Sequence, residues 1–158
     1  MASVSPQITV HPTDATKPSV NTIPIVTSLF TSERLNKNKS NWQEWSQDLL
    51  ECLSMSQGLD GHLDGTLVCP DDSTEPRAHH NWKINDKAVQ AFMSNKSVRA
   101  EHEFINGANI NTAKKAWDAL KKRHEVQGPI QQVLLIQEAL DVQYSIWRSA
   151  FHHQLQTC

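Results

Sequence analysis

Residues Asn111–Gly128, "NTAKKAWDALKKRHEVQG", decide the fold class of this chain. Apolar and small side chains recur there at intervals of three and four residues, and charged side chains fill the positions between them, which is typical of an amphipathic α-helix. Thr112 is a suitable N-cap, and Gly128 followed by Pro129 is a typical stop. We therefore expect a helix that docks through Trp117. Its buried face should comprise Ala113, Ala116, Trp117, Leu120 and His124.

The opposite face of this helix is basic. A solvated surface is the favoured interpretation, because basic side chains without interleaved exposed aromatics or glycines usually serve solubility. A phosphate-facing patch that binds nucleic acid is the alternative. The chain as a whole has a formal net charge of −2 and is no polycation. The candidate nucleic-acid contacts are Lys114, Lys115, Lys121, Lys122 and Arg123.

Helical periodicity also occurs in other segments of the chain. One such segment begins near Trp42 and stops at Gly58, a second contains Trp82 and Met93, a third and shorter one covers about residues 98–104, and another follows Pro129. Without strand-like alternation, these segments predict an all-α fold, a small bundle of five to six helices. The expected core comprises Trp42, Trp45, Leu49, Trp82, Phe92, Ala116, Trp117, Leu120 and Leu134.

The chain is expected to have three regions. Residues 1–32 are rich in Ser, Thr and Pro and are predicted to be a disordered tail, with a short extended piece at 23–26 lying on the domain as the alternative. The helical domain is predicted at 33–142. Residues 143–158 form an amphipathic extension, and its apolar stripe should either fold back onto the bundle or pair with a second copy of the chain. The candidate self-association residues are Tyr144, Trp147, Phe151 and Leu155.

Chemistry-bearing motifs are weak in this sequence. The pairs His79–His80 and His152–His153 lack further ligands at helical spacing, and no Cys/His pair has metal-ligand spacing. Asp71–Asp72 lies in a polar loop that would not separate the two pKa values, as acid–base catalysis requires. We therefore expect no catalytic, cofactor-binding or metal-binding residues and no small-molecule substrate. Cys52 is expected in the core as a small apolar residue.

The compartment is predicted from what the sequence lacks. No apolar run approaches the ~20 residues of a membrane helix. The N-terminus has no basic region followed by an apolar region, as a secretory signal would. The widely spaced cysteines, Cys52, Cys69 and Cys158, are typical of reduced thiols. We expect an intracellular protein without a membrane partner, in the cytoplasm, with the nucleus as the alternative.

Several motifs, taken in chain order, resemble the Gag polyprotein of copia-type long-terminal-repeat retrotransposons. The first is Leu, a polar loop and Asn-aromatic-x-x-Trp, here Leu35, Asn41, Trp42 and Trp45. The second, Trp-x-x-x-Asp-x-x-Ala, is matched by Trp82, Asp86 and, one place off the strict spacing, Ala88. The most specific, Thr-Ala-x-x-Ala-Trp-Asp-x-Leu, is matched by Thr112, Ala113, Ala116, Trp117, Asp118 and Leu120. A helix with paired leucines follows, as in Leu134 and Leu135.

The resemblance covers about residues 29–142 and implies a capsid-like helical domain that self-associates around the element's RNA, without catalysis. Family members normally continue into a zinc knuckle that grips RNA, and this sequence contains none. We therefore expect a truncated or degenerate copy whose main partner is itself and whose contact with RNA is weak. An inert transposon remnant is the remaining alternative.

Overall fold

A computed structural model describes residues 16–125 together with residues 133, 136, 137 and 140. The chain divides into two compact units, Met1–Lys121 and Lys122–Cys158. The division between the two units lies inside the helix Ala113–Glu125. In the second unit, the four described positions beyond Glu125 are helical.

Five α-helices occur within residues 16–125. They are α1 (Trp42–Met55), α2 (Gly61–Asp64), α3 (Pro76–Asn95), α4 (His102–Asn106) and α5 (Ala113–Glu125). Short 3-10 turns occupy Thr27–Leu29, Lys37–Lys39 and Arg99–Glu101. The only β-pairing in the described part of the chain is an isolated parallel bridge between Leu35 and Ser97. The predicted all-α fold is confirmed.

The first helix buries one stripe of its surface. Trp45, Leu49, Cys52 and Leu53 are all buried, at the spacing of an amphipathic helix, and the prediction for Cys52 is confirmed. The predicted stop is also observed, since Gly58 adopts a φ of 79°, the left-handed conformation that glycine accepts without strain.

The N-terminal segment, residues 20–35, is docked on the bundle. Ile23, Ile25 and Leu29 pack against the core, and Phe30 is itself buried at 8 % exposure. The backbone N–H of Ile23 donates to Asn85 Oδ1 at 2.9 Å. The structure therefore differs from the predicted disorder of residues 1–32 at Ile23–Phe30, and Ile23 and Ile25 lie on the domain, as the alternative for 23–26 expected. Residues 1–15 lie outside the described part.

The Ser-, Thr- and Pro-rich composition of this segment wrongly indicated disorder. Its few apolar side chains pack on the core, and side chains of the bundle form hydrogen bonds with its backbone. Asn81 and Asn85 each donate a side-chain hydrogen bond to the segment, to the carbonyls of Val20 and Asn21 respectively, both at 2.8 Å. Ser56 Oγ accepts from the Val26 N–H at 3.0 Å. These bonds satisfy an extended backbone that has no helix or strand partner of its own.

The aromatic core is built around one fully buried tryptophan. Trp45 is 0 % exposed, and its indole N–H donates to the Lys96 carbonyl at 2.7 Å. Trp42 and Trp117 are only half-buried, with ring centroids 5.8 Å and 6.4 Å from Trp45 and 5.1 Å from each other. Phe30 packs edge-on against Trp45. The expected anchor of α5, Trp117, thus lies at the rim of the aromatic cluster.

The predicted core list needs one further correction, and one of its members is not described. Trp82 is half-buried and lies outside the main cluster, because its ring packs on His62 at a centroid distance of 4.9 Å. Leu134 lies outside the described residues. The remaining predicted members are buried: Trp45, Leu49, Phe92, Ala116 and Leu120. On α5 the small residue Ala113 and the polar His124 are buried as well, as the pattern predicted.

Candidate functional site

The basic face of α5 is partly occupied by local partners. Lys114 Nζ forms an ion pair with Asp118 Oδ2 at 2.9 Å, and Lys115 Nζ donates to Asn111 Oδ1 at 2.8 Å. Thr112 Oγ1 accepts from the Lys115 N–H at 3.3 Å, as expected of an N-cap. The side chains of Lys114, Lys115, Lys121 and Lys122 are exposed, and Arg123 is half-buried. The face is therefore a surface of mixed charge, which favours the solvated interpretation.

An exposed apolar stripe lies on the helical segment of the second unit. Val133, Ile136 and Leu140 follow one another at i, i+3 and i+7, and they are 61 %, 60 % and 58 % exposed. This spacing places them on one side of a helix. The candidate self-association residues Tyr144, Trp147, Phe151 and Leu155 lie outside the described residues. We call Val133, Ile136 and Leu140 the exposed stripe.

A buried polar centre, which the sequence did not predict, joins α2, α3 and α5. Asp86 of α3 is 3 % exposed, and its two carboxylate oxygens accept from the Ala113 N–H at 3.1 and 3.2 Å. Nδ1 of His62, from α2, lies 3.5 Å from Asp86 Oδ1. The carboxylate therefore meets the first N–H of α5, where the helix dipole favours negative charge.

The His62 imidazole is enclosed by apolar and backbone groups. The Trp82 ring packs against it, and the Trp82 indole N–H donates to the Leu67 carbonyl at 2.9 Å. A Cβ on Gly61 would approach Leu67 Cγ to 2.6 Å, so only glycine fits beside this loop. Within the described residues, neither imidazole nitrogen forms a hydrogen bond. With its side chain 0 % exposed, His62 is inaccessible to a substrate, so the centre is suited to anchoring α5.

A cysteine–histidine pair is the second feature that the sequence did not predict. Cys69 Sγ lies 3.3 Å from His79 Nδ1, which is also 2.7 Å from the Pro70 carbonyl. A carbonyl only accepts hydrogen bonds, so this nitrogen carries a proton and cannot take one from the thiol. Burial raises the pKa of the Cys69 thiol. The pair therefore lacks the thiolate that nucleophilic catalysis requires.

Two carboxylates organise loops. Asp71 accepts hydrogen bonds from the side chain and the backbone N–H of Ser73, and these bonds lower its pKa. Burial opposes ionisation of Asp48, but the backbone N–H groups of Ser32 and Thr31, at 2.7 and 2.8 Å, hold its pKa below the ordinary value. Asp71 thus orders the turn before α3, and Asp48 ties the N-terminal segment to α1.

The sequence contains only weak signals for the two unpredicted sites: isolated polar residues among the apolar residues of α3, and a cysteine in the loop before that helix. Asn85 and Asp86 lie between the apolar residues Ile84 and Ala88 of α3, and nothing local shows which distant backbone they contact. Among the residues that the structure describes, no group of three or more His, Cys, Asp or Glu side chains has the geometry of a metal site. No helix in that same part is long and apolar enough to cross a membrane.

Comparisons of the chain with models of protein families, with curated proteins and with solved structures found no match.

Proposed function

We propose that this protein is a structural, non-enzymatic domain of the copia-type Gag class, whose activity is capsid-type association with copies of itself. The observation that carries the proposal is the exposed stripe. Three large aliphatic side chains on one side of a helix remain about three-fifths exposed in the isolated chain. Contiguous exposed apolar surface is uncommon on monomers and usually marks an interface.

A second copy of the same stripe is the occupant that fits best. Gln137, which lies beside the stripe, is exposed and neutral, so two copies of this face would meet without repulsion between like charges. A two-fold contact brings the same patch of each subunit together, which satisfies both apolar surfaces at once. The stripe also continues the sequence pattern that leads to Tyr144 and Trp147.

The positions of the Gag-like motif residues support a structural role. Trp45 and Trp117 belong to the aromatic cluster, and Asp86 anchors the N-terminus of α5. Ala113 and Ala116 are 0 % exposed, which allows α5 to approach its neighbours closely. The motif residues thus hold the helices together. This is the role that we expect of them in a domain that self-associates through its surface.

The proposal includes an intracellular location, cytoplasmic or nuclear, with no catalysis, no cofactor and no small-molecule substrate. The main partner is a second copy of the chain, and any contact with the element's RNA is weak. An inert transposon remnant is the competing hypothesis, and it predicts a chain that stays monomeric at every concentration.

Sedimentation of the purified full chain over a concentration series tests self-association. We expect a monomer–oligomer equilibrium at tens of micromolar. Val133→Glu should abolish it, because it places a charge within an apolar contact. Val68→Glu is the matched control, since Val68 is also exposed, at 79 %, but belongs to the other compact unit and is not part of the exposed stripe. A monomeric wild-type chain, or equal effects of the two variants, would refute the proposal.

A salt series separates self-association from the nucleic-acid alternative. An apolar contact should persist or strengthen at high salt. Binding of single-stranded RNA through the basic face of α5 should instead weaken, with log affinity falling by about 0.7 per phosphate contact for each unit of log salt. Lys121→Gln should reduce the steepness of that salt dependence by the contribution of about one phosphate contact. It should leave sedimentation of the chain unchanged.

A further inference from the structure

A hollow of about 350 Å³ lies where the N-terminal segment crosses the end of α3. The bridge between Leu35 and Ser97 fixes this crossing, with the Leu35 N–H donating to the Lys96 carbonyl at 2.9 Å and the Val98 N–H to the Leu35 carbonyl at 3.0 Å. The bridge therefore brings the residues before Leu35 next to those after Ser97. The hollow is lined by Arg34, Ser94, Asn95, Ser97, Arg99 and His102.

The lining is cationic and contains no carboxylate. Arg34 and Arg99 are exposed, and within the described part of the chain neither guanidinium has an ion-pair or hydrogen-bond partner. The neighbouring Glu33 is already paired with Lys39 at 2.5 Å. Glu101 is fully buried, and Glu103, four residues after Arg99, forms no ion pair with it. Two permanent positive charges thus face one small space.

Capping of α3 does not explain the two arginines. Cations often gather at a helix C-terminus because they bind its last carbonyls. Here other donors already occupy three of the last four carbonyls of α3, and His102 Nε2, for example, donates to the Ser94 carbonyl at 3.0 Å. The carbonyls that have such donors are those of Phe92, Met93, Ser94 and Lys96. Both guanidiniums are therefore available to a ligand.

Neutral donors complete the lining. Ser94 Oγ accepts from Asn106 Nδ2 at 3.0 Å, which leaves the hydroxyl hydrogen of Ser94 to be donated elsewhere. The Asn95 side chain is exposed at the same edge and carries two N–H groups. Guanidinium groups match the geometry of phosphate oxygens, and hydroxyl and amide donors supply further hydrogen bonds to them.

We propose that this hollow is a phosphate-binding site, with Arg34 and Arg99 as its charged contacts and Ser94 and Asn95 as its neutral donors. Its volume is at the lower end of the ~300–1,000 Å³ of ligand pockets and suits one phosphate group with a small part of the molecule that carries it. The group is either a phosphomonoester of a small molecule or a phosphate of a nucleic-acid backbone. The site is independent of the exposed stripe and of the proposed function.

Titration calorimetry of the full chain tests the site with three probes: inorganic phosphate, a nucleoside 5′-monophosphate and a short single-stranded RNA without terminal phosphates. Saturable binding of at least one probe is expected. Arg34→Gln and Arg99→Gln should each weaken it about tenfold or more, since hydrogen bonds to charged groups are among the strongest in proteins. Preference for the monophosphate identifies a small-molecule source, and preference for the RNA identifies a backbone source.

Lys83→Gln is the matched control, because it also removes one exposed positive charge from α3, outside the hollow. Circular dichroism should show unchanged melting for Arg34→Gln and Arg99→Gln, since both side chains are exposed and form no bond in the described structure. Absence of binding to all three probes would overturn the proposal. An equal loss in Lys83→Gln would also overturn it, because binding would then follow net charge alone.

Discussion

Replacement of Asp86 provides a sharp test of how α5 is held. The carboxylate is 3 % exposed and accepts the Ala113 N–H with both oxygens. A buried hydrogen bond to a charged group contributes about 1.5–3 kcal/mol. Loss of a carboxylate at a helix N-terminus costs up to about 2 kcal/mol more where the site is partly buried. Because these contributions overlap, we expect Asp86→Ala to destabilise the protein by about 3–4 kcal/mol.

That loss is large beside the ~5–15 kcal/mol of a typical domain and should lower the melting temperature by roughly 10–20 °C. Asp86→Asn keeps an acceptor oxygen and the side-chain volume, so it should cost only about 1–2 kcal/mol. Thr112→Ala is the matched control at the same helix end, since its exposed 3.3 Å cap should contribute about 0.5–1 kcal/mol.

Urea denaturation followed by far-ultraviolet circular dichroism measures all three variants. The expected order of destabilisation is Asp86→Ala, then Asp86→Asn, then Thr112→Ala. If Asp86→Ala is no more destabilising than Thr112→Ala, the distant carboxylate does not anchor the helix and the reasoning is refuted.

Three further predictions concern the core and the N-terminal segment. Trp45→Ala should cost about 3–5 kcal/mol and Trp117→Ala clearly less, because only Trp45 is fully buried; denaturation midpoints with equal shifts would contradict this. Deletion of residues 1–26 should destabilise the domain by at least about 2 kcal/mol, since it removes the docked Ile23 and Ile25; an unchanged midpoint would show that the docking contributes nothing. The lowered pKa of Asp48 stabilises the fold above the unfolded pKa of about 4, and this contribution is lost as the pH falls through the folded value. Asp48→Asn should therefore lower stability at neutral pH by about 1 kcal/mol but have little effect near pH 2; a loss that is the same at both pH values would exclude this linkage.

The sequence by itself determined the helices, because a helix is specified by residues three and four positions apart. The spacing on α5 predicted its buried face, Thr112 its start, and Gly58 the end of the first helical segment, all of which are local properties. The short helix expected at about 98–104 is present as α4 and the turn before it.

Only the tertiary structure decided which distant groups meet. The Asp86 carboxylate and the Ala113 N–H are 27 residues apart in the chain, and Asn85 Oδ1 and the Ile23 N–H are 62 residues apart. Periodicity carries no information about such pairs. Taken alone, Asn85 and Asp86 are polar residues in an amphipathic helix, and Ile23 belongs to a tail rich in Ser, Thr and Pro. These hydrogen bonds stabilise the fold because both groups of each pair are buried together. Whether they are buried together depends on how the helices are arranged in space.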